Sequence, residues 1–176
     1  MNQKLSMSDL GRISTDEFQR VEKHPVILVL ENIRSGLNVG SIFRSADAFR
    51  IEKIYCCGYT PVPPHREVLK SALGATESVT WEQGEVMDTI KTLKLADVQC
   101  FAIEQTSGSI NLSTFVPAKR KLALVLGNEV NGVSQEVIDA CDGTIEIAQH
   151  GTKHSLNVAV CAGIVLFSMT DKLRRG

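Results

Sequence analysis

Two stretches, VILVL (residues 26–30) and LALVL (122–126), constrain this chain more than anything else in it. Each is an unbroken apolar run with no polar residue at alternate positions. A strand with one wet face alternates. A continuous branched run suits a strand buried on both faces, as in a parallel sheet covered by helices. Further short runs read as strands: KIYCCG (53–58), SVTWE (78–82), VQCFAIE (98–104) and TIEIA (144–148). The segments between them have helical spacing. In NVGSIFRSADAFR (38–50), Val39, Ile42, Phe43, Ala46 and Phe49 share one side. EVMDTIKTLKLAD (85–97) and SQEVIDACD (134–142, with Ser134 as N-cap) also read as helices. REVLKSALG (66–74) reads as a short helix ended by Gly74, and QTSGSINLSTFVPAKRK (105–121) as loop. The last helix runs from Leu156 to about Leu173, with Ser155 available as its N-cap. Strands alternating with helices predict an α/β fold: a mainly parallel sheet of about six strands flanked by helices.

A chain of 176 residues suits one domain. Residues 25–176 form it. Residues 1–24 read as an N-terminal arm with one short helix near Thr15–Lys23, capped by Ser14 or Thr15. The net charge of −1 advertises neither nucleic acid nor an acidic membrane, so any polyanion must meet a local basic patch. The longest apolar stretch, Leu156 to Met169, falls short of the roughly 20 residues that span a bilayer, and Asn157 interrupts it. No basic-then-apolar leader opens the chain. The five cysteines are odd in number, lack a CxxC pair and lie mostly in apolar runs, so they read as reduced core residues of a cytoplasmic protein.

Ligands of open α/β sheets gather beyond the carboxyl ends of the strands. The loops there are LENIRSGLN, AIEQTSG, VLGNEVNG and EIAQHGTKHSLN. Common motifs are missing from them. There is no GxGxxG, HExxH or GxSxG. GNEVNGVS has the spacing of a phosphate loop, but Val133 and Ser134 stand where Lys and Ser/Thr belong. Four polar positions stand out instead, each open to two readings. Asn38 either caps its helix or serves a site. Arg44, in a helix of mostly buried spacing, either pairs with Asp47 or Glu31 or acts on a ligand. Glu129 is either turn chemistry or a functional carboxylate. Ser155 either caps the last helix or lines a site.

Taken in order, NVGSIFRSADAF (38–49), LVLGNEVNGVS (124–134) and IEIAQHGTKHSLNVAVCAGIVLF (145–167) resemble the three motifs of the SpoU (TrmH-like) family of the SPOUT superfamily. SALGA (71–75) resembles a further family segment. One departure stands out: Ala148 and Gln149 follow Ile147 where the family usually has Pro-Met. The resemblance implies an S-adenosylmethionine-dependent transfer of methyl to an RNA ribose 2′-hydroxyl, with no metal, no DNA and no membrane. It also implies a C-terminal trefoil knot and a homodimer built on the first and last helices. A partner on one side and the sheet on the other would explain why the last helix is apolar nearly all round. The implied cofactor contacts are Ile103, Glu104, Leu126, Gly127, Ile147, Gln149 and Leu156. Arg44 is the residue implied to act on the 2′-hydroxyl, with Asn38, Glu129, Ser155 and Asn157 as positioning groups.

Among the cations, Arg34 and Lys153 sit on site loops and are the candidate RNA contacts; Arg66 is a third loop cation. The clusters Lys119–Arg120–Lys121 and Lys172–Arg174–Arg175 read as solvated surface charge. A short chain suits a compact target, so tRNA is the expected RNA and ribosomal RNA the alternative. The competing classes are a knotted dimer that binds RNA or cofactor without turnover, and an unrelated α/β nucleotide enzyme.

Overall fold

A computed structural model describes residues 2–6, 8–118 and 121–175, the last without its side chain. Lys119, Arg120 and the side chain of Arg175 therefore lie outside the described residues. In chain order the elements are α1 (Thr15–Arg20), β1 (His24–Glu31), α2 (Gly36–Ala48), β2 (Ile51–Cys57), α3 (Arg66–Ala72), α4 (Ala75–Ser78) and β3 (Trp81–Gly84). Then come α5 (Val86–Leu95), β4 (Gln99–Ile103), β5 (Ile110–Asn111), β6 (Leu122–Leu126), α6 (Gln135–Ala140), β7 (Gly143–Glu146) and α7 (Val158–Arg175).

The strands form one sheet in the order β3-β2-β1-β6-β4-β7-β5, and every pairing is parallel. The runs VILVL and LALVL lie side by side at its centre, Val26 opposite Leu122 and Leu30 opposite Leu126. Their alternate residues feed two separate cores. Leu28, Leu30, Leu124 and Leu126 face one core with residues of α2 and α7. Ile27, Val29, Ala123 and Val125 face the other, with Ile90 and Leu93 of α5 and Val137 of α6. Both faces are dry, which is why neither run alternates.

The structure departs from the sequence reading in three places. The sheet has a seventh strand, because Ile110–Asn111 pairs with Ile145–Glu146 inside the expected loop. Residues 75–78 close a helical turn, which pushes the third strand to 81–84. The helix over 66–72 ends on Leu73 in the left-handed conformation (φ 50°), one residue before the expected Gly74. No described helix is long and apolar enough to cross a membrane.

Helix α2 lies hard against α3. A Cβ placed on Gly40 would sit 2.3 Å from the Val68 carbonyl oxygen and 2.1 Å from the Ser71 hydroxyl. The contact with Val68 is backbone, which no rotamer change can relieve. We therefore expect Gly40→Ala to destabilise by about 1–3 kcal/mol net in urea unfolding, the usual cost of overpacking. Alanine's better helix propensity, about 1 kcal/mol, is too small to offset the clash. An unchanged or raised midpoint would show that the two helices part freely.

Candidate active site

A cavity of about 590 Å³ opens at the carboxyl ends of β4, β6 and β7. That volume suits a ligand of cofactor size. All seven residues expected to hold a cofactor line it: Ile103 and Glu104 after β4, Leu126 and Gly127 after β6, and Ile147, Gln149 and Leu156 after β7. The walls mix apolar side chains with polar ones, the carboxylates of Glu104, Glu129 and Glu146 among them. The carboxylate of Glu104 is fixed inside them, accepting from the Val133 N–H (3.0 Å) and the Gln105 N–H (2.9 Å). Gly127 is required by its own loop: a Cβ there would lie 2.2 Å from the Val133 nitrogen. Its need for glycine thus exists before any ligand approaches. Cys161 also lines the cavity, its thiol pushed up to about 11 by burial and by the Glu104 charge.

Glu129 joins the separate segments. Its carboxylate accepts from the Arg34 N–H (2.8 Å), the Ser35 N–H (3.1 Å) and the Asn38 side-chain amide (2.8 Å). These donors lie in the loop before α2 and in its first turn, where N–H groups lack intrahelical partners and an anion is favoured. Asn38 then passes the connection on. Its Oδ1 accepts from Asn157 Nδ2 at 3.1 Å. Asn157 Oδ1 in turn accepts from the Ala159 and Val160 N–H groups at the start of α7. One hydrogen-bonded chain therefore runs from the β6 loop through α2 to α7.

Two expected caps move as a result. Ser35, not Asn38, is the N-cap of α2, its hydroxyl accepting from the Asn38 N–H. Asn157, not Ser155, caps α7, which starts at Val158. Ser155 instead is exposed and lines the cavity. Ser134 does cap α6, though through no side-chain bond; its N–H goes to buried Glu31.

Arg44 is exposed and does not line the cavity. The expected structural pairings are taken by others: Asp47 accepts from the Ser78 hydroxyl and Glu31 from Ser134. Arg44 lies six residues beyond Asn38, about 9 Å along the helix axis. Arg34 and Lys153 are exposed on their loops. Of the two basic clusters, Lys121 pairs with Glu52 and Arg174 with Asp171, while Lys172 donates to the carbonyls of Leu112 and Phe115.

Sequence reasoning missed Asn128 and Asn32. Buried Asn128 donates to the Asn32 carbonyl (2.8 Å) and the Tyr59 hydroxyl (2.9 Å), and accepts from the Val130 and Asn131 N–H groups. Asn32 adopts φ 54°, a region asparagine enters more readily than most residues, and that preference was the available signal.

Burial pushes the Glu129 carboxyl up, but the donors from Arg34, Asn38 and Ser35 outweigh it and hold the group below its ordinary value of 4.5. A carboxyl lowered on folding adds stability that is complete above that value and is lost as pH falls through the lower folded value. Glu129→Gln should therefore cost about 1–2 kcal/mol at neutral pH, the scale of hydrogen bonds to a partly exposed charge. The gap between wild type and variant in urea unfolding should narrow below pH 4.5. A gap independent of pH would mean that the charge does not matter.

The SpoU rRNA Methylase family matches residues 25–167. A 23S rRNA (guanosine-2′-O-)-methyltransferase RlmB of Nitrosomonas europaea is 30% identical over 164 residues, 92% of this chain and 62% of the relative. A putative TrmH family tRNA/rRNA methyltransferase of Staphylococcus aureus is 29% identical, over 89% of this chain and 64% of its own length. This chain thus spans less than two thirds of either relative. Among solved structures, the A. aeolicus TrmH/SpoU tRNA modifying enzyme superposes with a TM-score of 0.81 at 24% identity, over 92% of this chain and 81% of that one. The AdoMet-bound rRNA methyltransferase from Sinorhizobium meliloti gives 0.80 at 26% identity, over 88% and 59%. With the family's match running through both central strands, the cavity loops and most of the last helix, this chain belongs to the SpoU rRNA Methylase family.

Proposed function

We propose that this protein transfers a methyl group from S-adenosylmethionine to a ribose 2′-hydroxyl of RNA. The observation that carries the reading is the cavity beyond β4, β6 and β7, lined by all seven residues that the family's motifs assign to the cofactor. The residues present fit that group: apolar Ile103, Leu126, Ile147 and Leu156 suit a base and a ribose, and loop backbone and Gln149 offer polar contacts. When bound, S-adenosylmethionine supplies an electrophilic methyl group. The chain's part is to hold the acceptor oxygen in line and to help its proton leave.

Glu129, Asn38 and Asn157 are positioning residues in this reading, fixing the loops around the cavity, and Ser155 faces the space where an acceptor ribose would enter. A guanidinium is a poor base because it stays protonated above pH 12. Arg44 instead grips an RNA phosphate through its paired N–H groups, and that phosphate takes the proton. Arg34 and Lys153 contact further phosphates. Residues 25–176 act as one catalytic domain, carrying the family's knot, with residues 1–24 as an arm. The setting is the cytoplasm.

The active form in this reading is a homodimer. Helix α7 leaves Val160, Ile164 and Phe167 in solvent at helical spacing, with Phe167 64% exposed. Beside it, α2 exposes Leu37, Arg44 and Ala48 along one stripe. A second copy would bury this joint face. Arg44 stands on it, outside its own chain's cavity, so its work on the acceptor requires the partner's cavity. Among RNAs, the relative named for 23S rRNA favours ribosomal RNA, and tRNA is the alternative.

The test is transfer of labelled methyl to unmodified tRNA and ribosomal RNA, offered separately, followed by nucleoside analysis. Label should appear in a 2′-O-methyl nucleoside of one RNA. Arg44→Ala should lose it by about 10²-fold or more. Label on a base, or cofactor binding without transfer to either RNA, would contradict the reading.

A further inference from the structure

Tyr59 enters the site described above only as an acceptor from Asn128. It follows β2 by two residues and its side chain is 62% exposed. An exposed tyrosine normally sweeps through rotamers, but this one is tied at both ends. Its backbone N–H donates to Asn32 Oδ1 (3.2 Å), and its hydroxyl accepts from Asn128 Nδ2 (2.9 Å). The same Asn128 amide group holds the Asn32 carbonyl at 2.8 Å, which closes a ring of bonds around the tyrosine. Next to it, the Thr60 hydroxyl accepts from the Ile33 N–H at 3.0 Å and donates back toward the end of β1 and β2. The turn is compact: Gly58 has φ 62°, and a Cβ there would meet Asn32 Oδ1 at 2.0 Å.

The cluster therefore fixes a flat aromatic face in solvent. Among the described residues, that face is in no ring–ring or cation–π contact. Its location is also informative. Asn128 is a wall residue of the cavity, so the ring stands one hydrogen bond from that wall. Exposed Arg34 follows Ile33, which is bonded to Thr60. An aromatic residue and a cation thus stand on neighbouring loops at the carboxyl ends of the strands. The other strongly exposed aromatic, Phe167, differs: it belongs to the apolar row of α7 and packs edge-on against Phe49.

We infer that Tyr59 is a stacking platform for an unpaired nucleobase of the RNA beside the acceptor ribose, with Arg34 on the neighbouring phosphate. This rests on the RNA reading proposed above. Single-stranded nucleotides are recognised by aromatic faces that take a splayed base, interleaved with cations that track the backbone. With its hydroxyl held by Asn128 and its backbone by Asn32, the ring loses less freedom when a base lands on it than an untied tyrosine would.

The experiment measures the affinity of the full chain for a single-stranded RNA oligonucleotide and for an abasic oligonucleotide of equal length. Tyr59→Phe, Tyr59→Leu and Tyr59→Ala are compared with wild type, with urea midpoints as the control for folding. Leucine and alanine should both weaken binding of the normal oligonucleotide by about tenfold or more, the scale of one lost base stack. Phenylalanine keeps the face but loses the tie to Asn128, so it should weaken binding less than leucine or alanine does, and no variant should change abasic binding beyond about twofold. Where an RNA is methylated, Tyr59→Ala should raise its KM by a similar factor and hold kcat. The proposal is overturned if leucine binds like tyrosine, if abasic RNA loses as much affinity, or if the loss tracks a lowered urea midpoint. Ring-dependent binding without any methyl transfer would keep the platform and reject the methyltransferase. Methyl transfer indifferent to the ring would do the reverse.

Discussion

The carboxylate of Glu129 is the hinge on which the site's geometry depends. It takes three donors at the start of α2 from across the sheet, and Asn38 relays the contact to the start of α7. The partners are remote in sequence: Asn38 is 91 residues from Glu129 and 119 from Asn157. Each junction would otherwise be a loop with orphan N–H groups and several conformations. A single anion orders two helix starts and the loop that walls the cavity. Hydrogen bonds to a charge are worth more than neutral ones, and removing one partner leaves the rest unsatisfied. A preformed cavity follows, with its polar groups already held by one another.

The frame that makes this possible is the sheet. Strand β6 enters between β1 and β4, both earlier in the chain, so its loop emerges beside the loops of both. That placement sets Glu129 opposite the β1–α2 loop on one side and puts Val133 within reach of Glu104 on the other. The glycines of the same loop serve this crowding. Gly132, at φ 68°, could not carry a Cβ without meeting Glu104 Oε2 at 2.2 Å. The segment LVLGNEVNGVS is therefore a packing solution for a loop pressed between two neighbours.

Much of this was legible in the residues, for physical reasons. Central strands buried on both faces leave unbroken apolar runs, and VILVL and LALVL lie where that rule puts them. Strand Ile110–Asn111 was not legible, because two residues carry no period. The caps are not legible either, because Ser and Asn are equally good caps. Ser35 competes with Asn38, and Ser155 with Asn157; only the distant carboxylate of Glu129 decides the first pair. Arg44 is tolerated in a helix of mostly buried spacing because its position falls on the helix's outer stripe between Leu37 and Ala48. The family resemblance supplied the membership of the cavity lining, which no spacing rule contains. It did not supply the Asn128–Asn32–Tyr59 cluster, which exists only once β1, β2 and β6 are side by side.

The claim that Glu129, Asn38 and Asn157 act as one unit is open to direct measurement. A double-mutant cycle of Glu129→Gln and Asn157→Ala in urea unfolding reads it, because hydrogen bonds through Asn38 join these two residues. A connected chain predicts a coupling energy of about 0.5–3 kcal/mol. Additivity within about 0.3–0.5 kcal/mol, the behaviour of independent sites, would contradict it.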